Sequence, residues 1–338
     1  DGTGIGSGFE SELRRARLGV EGDIPGGFGY KFEIDFAGNE VEITDAILTY
    51  GDGGLTVSVG QHNNFQSIEE LTSSRFITNL ERAAFTDAFG FERRAGVSLQ
   101  YGGKNYLVQA GLFSDNIDDL PGDDWSADGR LVFFPKSGNT QFHAGASVHY
   151  AGLSDGSSVR YRQRPFVHFT GSRPIDTGSF SADSEFGLGA ELAAISGPFH
   201  VAAEAYWQNV DRPGMAEDPT FFGGYAEVGY FLTKGDTRGY KNGIFDRVKP
   251  ADPVGEGGLG AVQLNLRYDR LDLNDSDAAI IGGTQDGFSV SMIWTPTDYT
   301  RFMINYGHMQ YSDAVISAEG GDTSYGVDSF GMRAQVDF

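Results

Sequence analysis

Val159-Arg-Tyr-Arg-Gln-Arg-Pro165 sets Arg160, Arg162 and Arg164 at every second position. Extended chain rises roughly 3.3 Å per residue, so this spacing aligns three guanidinium groups on one face, about 7 Å apart. A guanidinium keeps its charge at any ordinary pH, and its fork of donors suits a carboxylate or a phosphate. Inside a narrow passage, such a row would draw anions in and hand them from site to site. On an outer surface, the same row would face the phosphates of lipopolysaccharide.

The stretch 61–93 is the second candidate. Ser67-Ile-Glu-Glu70 resembles a helix-capping box and is followed by Leu71, Phe76, Ile77 and Leu80, so it reads as a partly helical loop. A loop of about thirty residues with apolar positions of its own does not dangle in water. Folded into an enclosed passage, it would narrow that passage and bring Glu69, Glu70, Arg75, Glu81 and Arg82 toward the axis. Enzyme chemistry finds no such foothold. The six His residues are scattered without metal-ligand spacing, and the glycine clusters do not form a phosphate-cradling loop. His143 and His149 share the polar face of one strand and read as lining.

Strands must position these groups. Phe330, Met332, Ala334, Val336 and Phe338 fall on one side of an extended segment, while Gly331, Arg333, Gln335 and Asp337 fall on the other. Tyr30–Phe36 and Val262–Asp269 repeat the period of two, as do 95–101, 106–112, 142–150, 186–194, 199–207, 288–294 and 302–306. Weaker segments at 15–21, 41–50, 55–60, 130–134 and 222–232 bring the total to about fifteen strands. Short turns such as Asp52-Gly-Gly54 and Ser196-Gly-Pro198 alternate with long loops such as 113–128, 152–183, 211–220, 272–286 and 312–325. Aromatics crowd the strand ends.

This is the pattern of an all-β protein, a transmembrane antiparallel β-barrel of the bacterial outer membrane with about sixteen strands. Parity from the C-terminus makes the segment from Ser11 a downward strand, so one upward strand is expected to be missing ahead of it. The segment 233–260 breaks the short-turn rule on the periplasmic side. It carries Lys234, Arg238, Lys241, Arg247 and Lys249, and folding up into the lumen would accommodate it.

Composition agrees. The chain has 338 residues, no cysteine, 49 glycines, 26 Phe and 15 Tyr, and 21% charged residues, with no break that would divide it into domains. No apolar run approaches the roughly 18 residues of a spanning helix. The start at Asp1-Gly-Thr-Gly4 lacks a basic flank and an apolar core, so any signal peptide is expected to be gone. The net charge of −22 excludes nucleic acid as a partner. Acidic runs at 116–124 and 274–277 read as solvated loops. Calcium bridging them, or bridging lipopolysaccharide, is the sharper alternative; no other cofactor is expected.

The chain as a whole resembles the phosphate-selective porin O/P family. Leu13-Arg-Arg-Ala-Arg-Leu18 is similar to the family's second-strand Arg-Arg-Ala motif, and Val41-Glu-Ile-Thr-Asp-Ala46 to its fourth-strand acidic motif. Leu71-Thr-Ser-Ser74 with Asn79-Leu-Glu-Arg82 resembles the pore-constricting loop, and Tyr230-Phe-Leu-Thr233 with Val248-Lys-Pro250 the strand and periplasmic segment before the last four strands. The family also has an upstream strand with a Gly-Gly-Arg motif. The resemblance implies a trimeric, sixteen-stranded, anion-selective channel with an arginine ladder and phosphate held near a lysine-rich constriction. Carried over by position, the ladder is Arg14, Arg15, Arg82, Arg160, Arg162 and Arg164, and its next place falls on His168 instead of arginine. Asp45 matches the acidic residue beside the binding zone, and Glu70 stands where phosphate-specific members place a lysine. The strand period instead puts Arg15 and Arg17 in the lumen and turns Arg14 outward.

The expected function is therefore passive diffusion of small hydrophilic solutes, preferring anions such as phosphate. Arg15, Arg75, Arg82, Arg160, Arg162 and Arg164 would steer them, with Arg247, Lys241 and Lys249 at the periplasmic side. The expected partners are outer-membrane lipid, lipopolysaccharide and two further copies of the chain. A weakly selective general porin, and a structural or adhesive envelope barrel with calcium-binding loops, are the alternatives.

Overall fold

A computed structural model describes residues 8–38, 41–214 and 216–338; the start Asp1–Gly4 lies outside them. One 16-stranded antiparallel sheet follows chain order. Its first seven long strands are β1 (Arg17–Ile24), β2 (Phe28–Asp35), β3 (Glu42–Asp52), β4 (Leu55–Asn63), β5 (Arg93–Gly102), β6 (Tyr106–Phe113) and β7 (Trp125–Phe133). Eight more complete the path: β8 (Thr140–Gly152), β9 (Ser184–Ser196), β10 (Phe199–Asp211), β11 (Thr220–Phe231), β12 (Ala261–Asp275), β13 (Ile280–Thr297), β14 (Thr300–Ser312) and β15 (Gly326–Val336). The two-residue piece Lys136–Ser137 pairs with β8 just past the end of β7. Among the described residues, no ladder joins β1 to β15.

The two faces of the sheet have opposite chemistry. Leu188, Leu192 and Val290 stand 46%, 62% and 40% exposed on the outside, as do Phe330, Met332 and Val336 of β15. Their neighbours on the inner face, among them Ser98, Gln109, Glu191, Asn265, Arg267 and Ser289, are buried. Water would punish this arrangement, but a bilayer rewards it, because lipid covers the apolar face and the lumen holds the polar one. Among the described residues, no second sheet packs on the outer aromatics. Pairs such as Phe28–Tyr50, Phe199–Tyr230 and Trp294–Phe302 stand near the short turns, and Trp125–Tyr150, Trp207–Phe222 and Tyr268–Phe288 near the other rim. These are two interfacial girdles. Val290→Arg, midway along β13, is expected to cost about 2–4 kcal/mol. Urea unfolding in liposomes checks this, and a loss below 1 kcal/mol would place Val290 outside the hydrocarbon.

Two expectations need correction. The 272–286 loop is a tight hairpin, because β12 and β13 run on to Asp275 and Ile280. Arg270 pairs with Asp272 and Asp286 there, stitching the extension beyond the apolar band. The second correction concerns Arg14. Residues 8–16 form no strand, so the period of two does not govern them, and Arg14 reaches Glu81.

Candidate functional site

Three segments fold onto the inner face and meet there. The first is 64–92, carrying helices α1 (Ile68–Leu71) and α2 (Ala84–Ala88). Wall carboxylates receive its backbone. Glu204 of β10 accepts from Ile68 N and Glu69 N at 3.0 and 2.9 Å, and Asp269 of β12 accepts from Ala84 N at 3.0 Å. These are the free N–H groups at helix starts, which attract negative charge. Ser67 completes the first cap by accepting from Glu70 N. Glu227 of β11 takes Thr78 Oγ1 and Asn79 Nδ2, while Arg267 bridges Glu69 and Glu227 at 2.8 and 2.9 Å. Arginines grip the loop's carbonyls: Arg301 donates to Arg75 O and Ile77 O, and Arg333 to Ser74 O. Apolar packing adds to this. Phe85 and Phe91 lie on Tyr206, and Phe85 sits over Gly223, where any Cβ would come within 2.3 Å of it.

The second segment, 153–183, turns inward from the same rim as the first. Two short ladders, Ser158–Val159 with Phe180–Ser181 and Arg162–Gln163 with Ile175–Asp176, hold it extended. Tyr161 points inward onto Phe89 and Phe221, and Gln163 donates to Ala84 O. Phe166 fills the space over Gly287. The third segment, 232–260, rises from the turn side as a hairpin of Gly239–Lys241 and Ile244–Asp246. Arg130, itself paired with Glu191, holds it by Gly243 O, and Phe245 N donates to Thr72 Oγ1 beneath the first loop.

A cavity of about 150 Å³ lies between the first two segments. Arg14, Arg15, Glu70, Glu81, Arg82, Asp87, Arg164 and His168 line it, with Phe91, Phe166 and Val167 as its apolar side. Arg14 makes a two-pronged contact to Glu81 at 3.1 Å, Arg82 pairs with Glu70 at 3.2 Å, and Arg164 lies 3.7 Å from Asp87. His168 Nδ1 meets Glu12 at 2.9 Å. Arg15 makes no ion pair among the described residues, and its Nη1 has no hydrogen-bond partner. Burial and the like charges of Arg14, Arg82 and Arg333 push its guanidinium down to about 9, against the pull of Glu81. It remains charged at neutral pH, and no carboxylate of the described residues pairs with it.

Seven residues singled out in the sequence thus line one cavity: Arg14, Arg15, Glu70, Glu81, Arg82, Arg164 and His168. The others stand apart from it. Arg160 and Arg162 continue the face of Arg164, with Arg160 paired to Asp176 at 2.8 Å between Nε and Oδ1. The row sits on an infolded loop and not on a barrel strand. Arg17 is held by Asp35 and Glu33, and Asp45 lies between Lys31 at 2.6 Å and Arg93 at 2.9 Å. Arg75 and Arg247 converge on Asp337, while Lys241 and Lys249 are exposed. Arg82 spends its donors on Glu69 O, Glu70 O and Thr72 O, so it braces the loop as well as lining the cavity. Sequence reasoning missed the clamps Glu204, Glu227, Arg267, Asp269, Arg301 and Arg333. Their signal was a charged residue at an inner position of an alternating strand. Among the described residues, no group of His, Cys, Asp and Glu is placed to hold a metal ion.

Glu70 makes the cavity pH-sensitive. Burial raises its pKa above 4.5, against the opposing pull of Arg82, Arg93 and Arg15, with Glu69 adding to the rise. As pH falls through that raised value, the carboxylate becomes neutral and the lining gains one positive charge. Anion preference is therefore expected to rise on acidification. Glu70→Gln should show the higher preference already at neutral pH and a flatter response, read from zero-current potentials across a pH series. An unchanged slope in the variant would assign the titration elsewhere.

The phosphate-selective porin O and P family matches residues 1–338. A relative from Caulobacter vibrioides, itself uncharacterized, is 47% identical over 98% of this chain and 69% of its own length. Among solved structures, the trimer form of the outer membrane protein OmpT of Vibrio cholerae aligns with a TM-score of 0.58 at 13% identity, covering 95% of this chain and 91% of that one. An anion-selective porin from Comamonas acidovorans gives 0.55 at 13%, covering 96% and 90%. OprB of Pseudomonas putida gives 0.58 at 14%, covering 95% and 87%. At such identities these likenesses speak for the fold alone.

Proposed function

The chain belongs to the phosphate-selective porin O and P family, a porin of the bacterial outer membrane and so a channel rather than an enzyme, and we propose that it passes small hydrophilic solutes passively with a preference for anions, phosphate among them. One observation carries the preference: Arg15, a guanidinium with no ion pair among the described residues, stands beside Arg14, Arg82 and Arg164 at a cavity against the inner loop 64–92. A fixed cation in a confined, weakly screened place lowers the energy of a passing anion by more than the distant acidic loops can raise it. Arg160 and Arg162 extend the positive face outward, and Lys241 and Lys249 offer exposed cations on the periplasmic side.

A second reading rests on the same lining. Glu70, Glu81 and Asp87 offset most of its positive charge, as a general and weakly selective porin requires. Reconstitution in planar bilayers separates the two. An anion-to-cation permeability ratio well above one in a KCl gradient supports the anion channel; a ratio near one supports the general porin; a silent protein supports a structural barrel. The working unit is proposed to be a homotrimer in lipid and lipopolysaccharide.

A further inference from the structure

The cavity at Arg15 has a charge count that goes beyond a general liking for anions. Four arginines line it (Arg14, Arg15, Arg82 and Arg164), and three carboxylates answer them (Glu70, Glu81 and Asp87), which leaves a surplus of one positive charge. The contacts are assigned in the same proportion. Arg14, Arg82 and Arg164 each have a carboxylate, and Arg15 is left over. A second negative charge on a ligand would find no free cation. It would instead face Glu70 and Glu81 in a confined space, where like charges repel strongly.

Part of the lining is apolar. Phe91, Phe166 and Val167 supply it, with Phe91 and Val167 each 9% exposed. At about 150 Å³, the space is the size that holds one benzene ring in a protein interior. A hydrated inorganic ion would make no use of this apolar share of the lining, whereas an organic body would cover the part still open and gain from its burial.

Resting on the anion-channel reading, we infer that this cavity is a binding site for a small organic monocarboxylate: one carboxylate on Arg15 and a compact apolar or aromatic body against Phe91, Phe166 and Val167. Phosphate dianion is the poorer occupant.

The test uses the reconstituted full chain and the block of its KCl current by four probes: benzoate, acetate, benzyl alcohol, and phosphate at about pH 8, where phosphate is mainly a dianion. Benzoate should half-block at a concentration about tenfold or more below acetate, which makes the same contact to Arg15 without a ring to bury, and below phosphate, which brings a second charge and no ring. Arg15→Gln should weaken block by benzoate and by acetate alike, bringing benzoate toward benzyl alcohol, while Arg15→Lys should keep much of the block. Phe166→Ala should weaken benzoate and leave acetate unchanged, a result that stands even if Arg15→Gln fails to insert. Phosphate blocking as well as benzoate overturns the inference, as does equal block by benzyl alcohol. If the channel still prefers chloride over potassium in such a case, the anion-channel reading survives and only the monocarboxylate assignment falls. If that preference is absent too, both fall.

Discussion

Arg267→Ala is expected to free the inner loop at 64–92, lowering stability by about 3–5 kcal/mol, the usual cost of removing one partner from a buried ion pair. The Arg267 side chain is 3% exposed and bridges Glu69 on the loop to Glu227 on the wall, with its guanidinium 4.3 Å from the Tyr225 ring centre. Its loss leaves two buried carboxylates facing each other with no cation between them. Glu227 also holds Thr78 and Asn79, so repulsion there is transmitted to the loop's far end. The wider passage that results should raise single-channel conductance and weaken selectivity. Arg267→Lys should recover only part of the loss, because an ammonium group cannot reproduce the fork that reaches both acids. Urea unfolding in liposomes, followed by tryptophan fluorescence, reads the stability. A variant within 1 kcal/mol of the native protein and of unchanged conductance would show that the loop is held by its other contacts alone.

Arg15→Glu is expected to have the largest effect on permeation. The substitution changes the cavity's charge by two units, from a surplus of one positive charge to a surplus of one negative charge. Each unit is worth about 4 kcal/mol at 4 Å for an effective dielectric near 20, and less where water reaches the site. Even a third of that is tenfold in permeability. The zero-current potential in a KCl gradient should therefore change sign, with cations becoming the favoured ions. The competing possibility is that Arg160, Arg162 and Arg164 set the preference together. A potential left within a few millivolts of the native value would move the selectivity filter to that row. Because Arg160 already has Asp176 as a partner, we expect the row to contribute less than its count of charges suggests.

How much of this was legible in the sequence follows from distance along the chain. Strands are written locally. In Gln263–Asp269 the alternation of Leu264, Leu266 and Tyr268 with Asn265 and Arg267 needs only the pleat of a single segment to become an outside and an inside. The same geometry yields strand order, since neighbours in sequence are neighbours in the sheet. The loop at 64–92 was also readable, because its apolar residues had no strand to serve and so needed a surface of their own. Arg14 misled the period reading for the opposite reason: no ladder holds residues 8–16, so no pleat dictates where a side chain points.

Charge partnership is not written locally. Arg267 and Glu69 lie 198 positions apart, Arg130 and Glu191 61 apart, and Arg14 and Glu81 67 apart. In the sequence, all the arginines of the inner face look alike as candidates for an anion path. Only when three loops meet on the wall does one become a clamp, another a brace and a third a cation without a partner. By itself, then, the amino-acid order determined a barrel, its lipid face, its wet face and the stretch at 64–92 that leaves the strand pattern, because each follows from a period of two or a break in one. The tertiary structure alone decided which charges cancel and which stay available, because a Coulomb interaction depends on separation in space and is indifferent to separation along the chain.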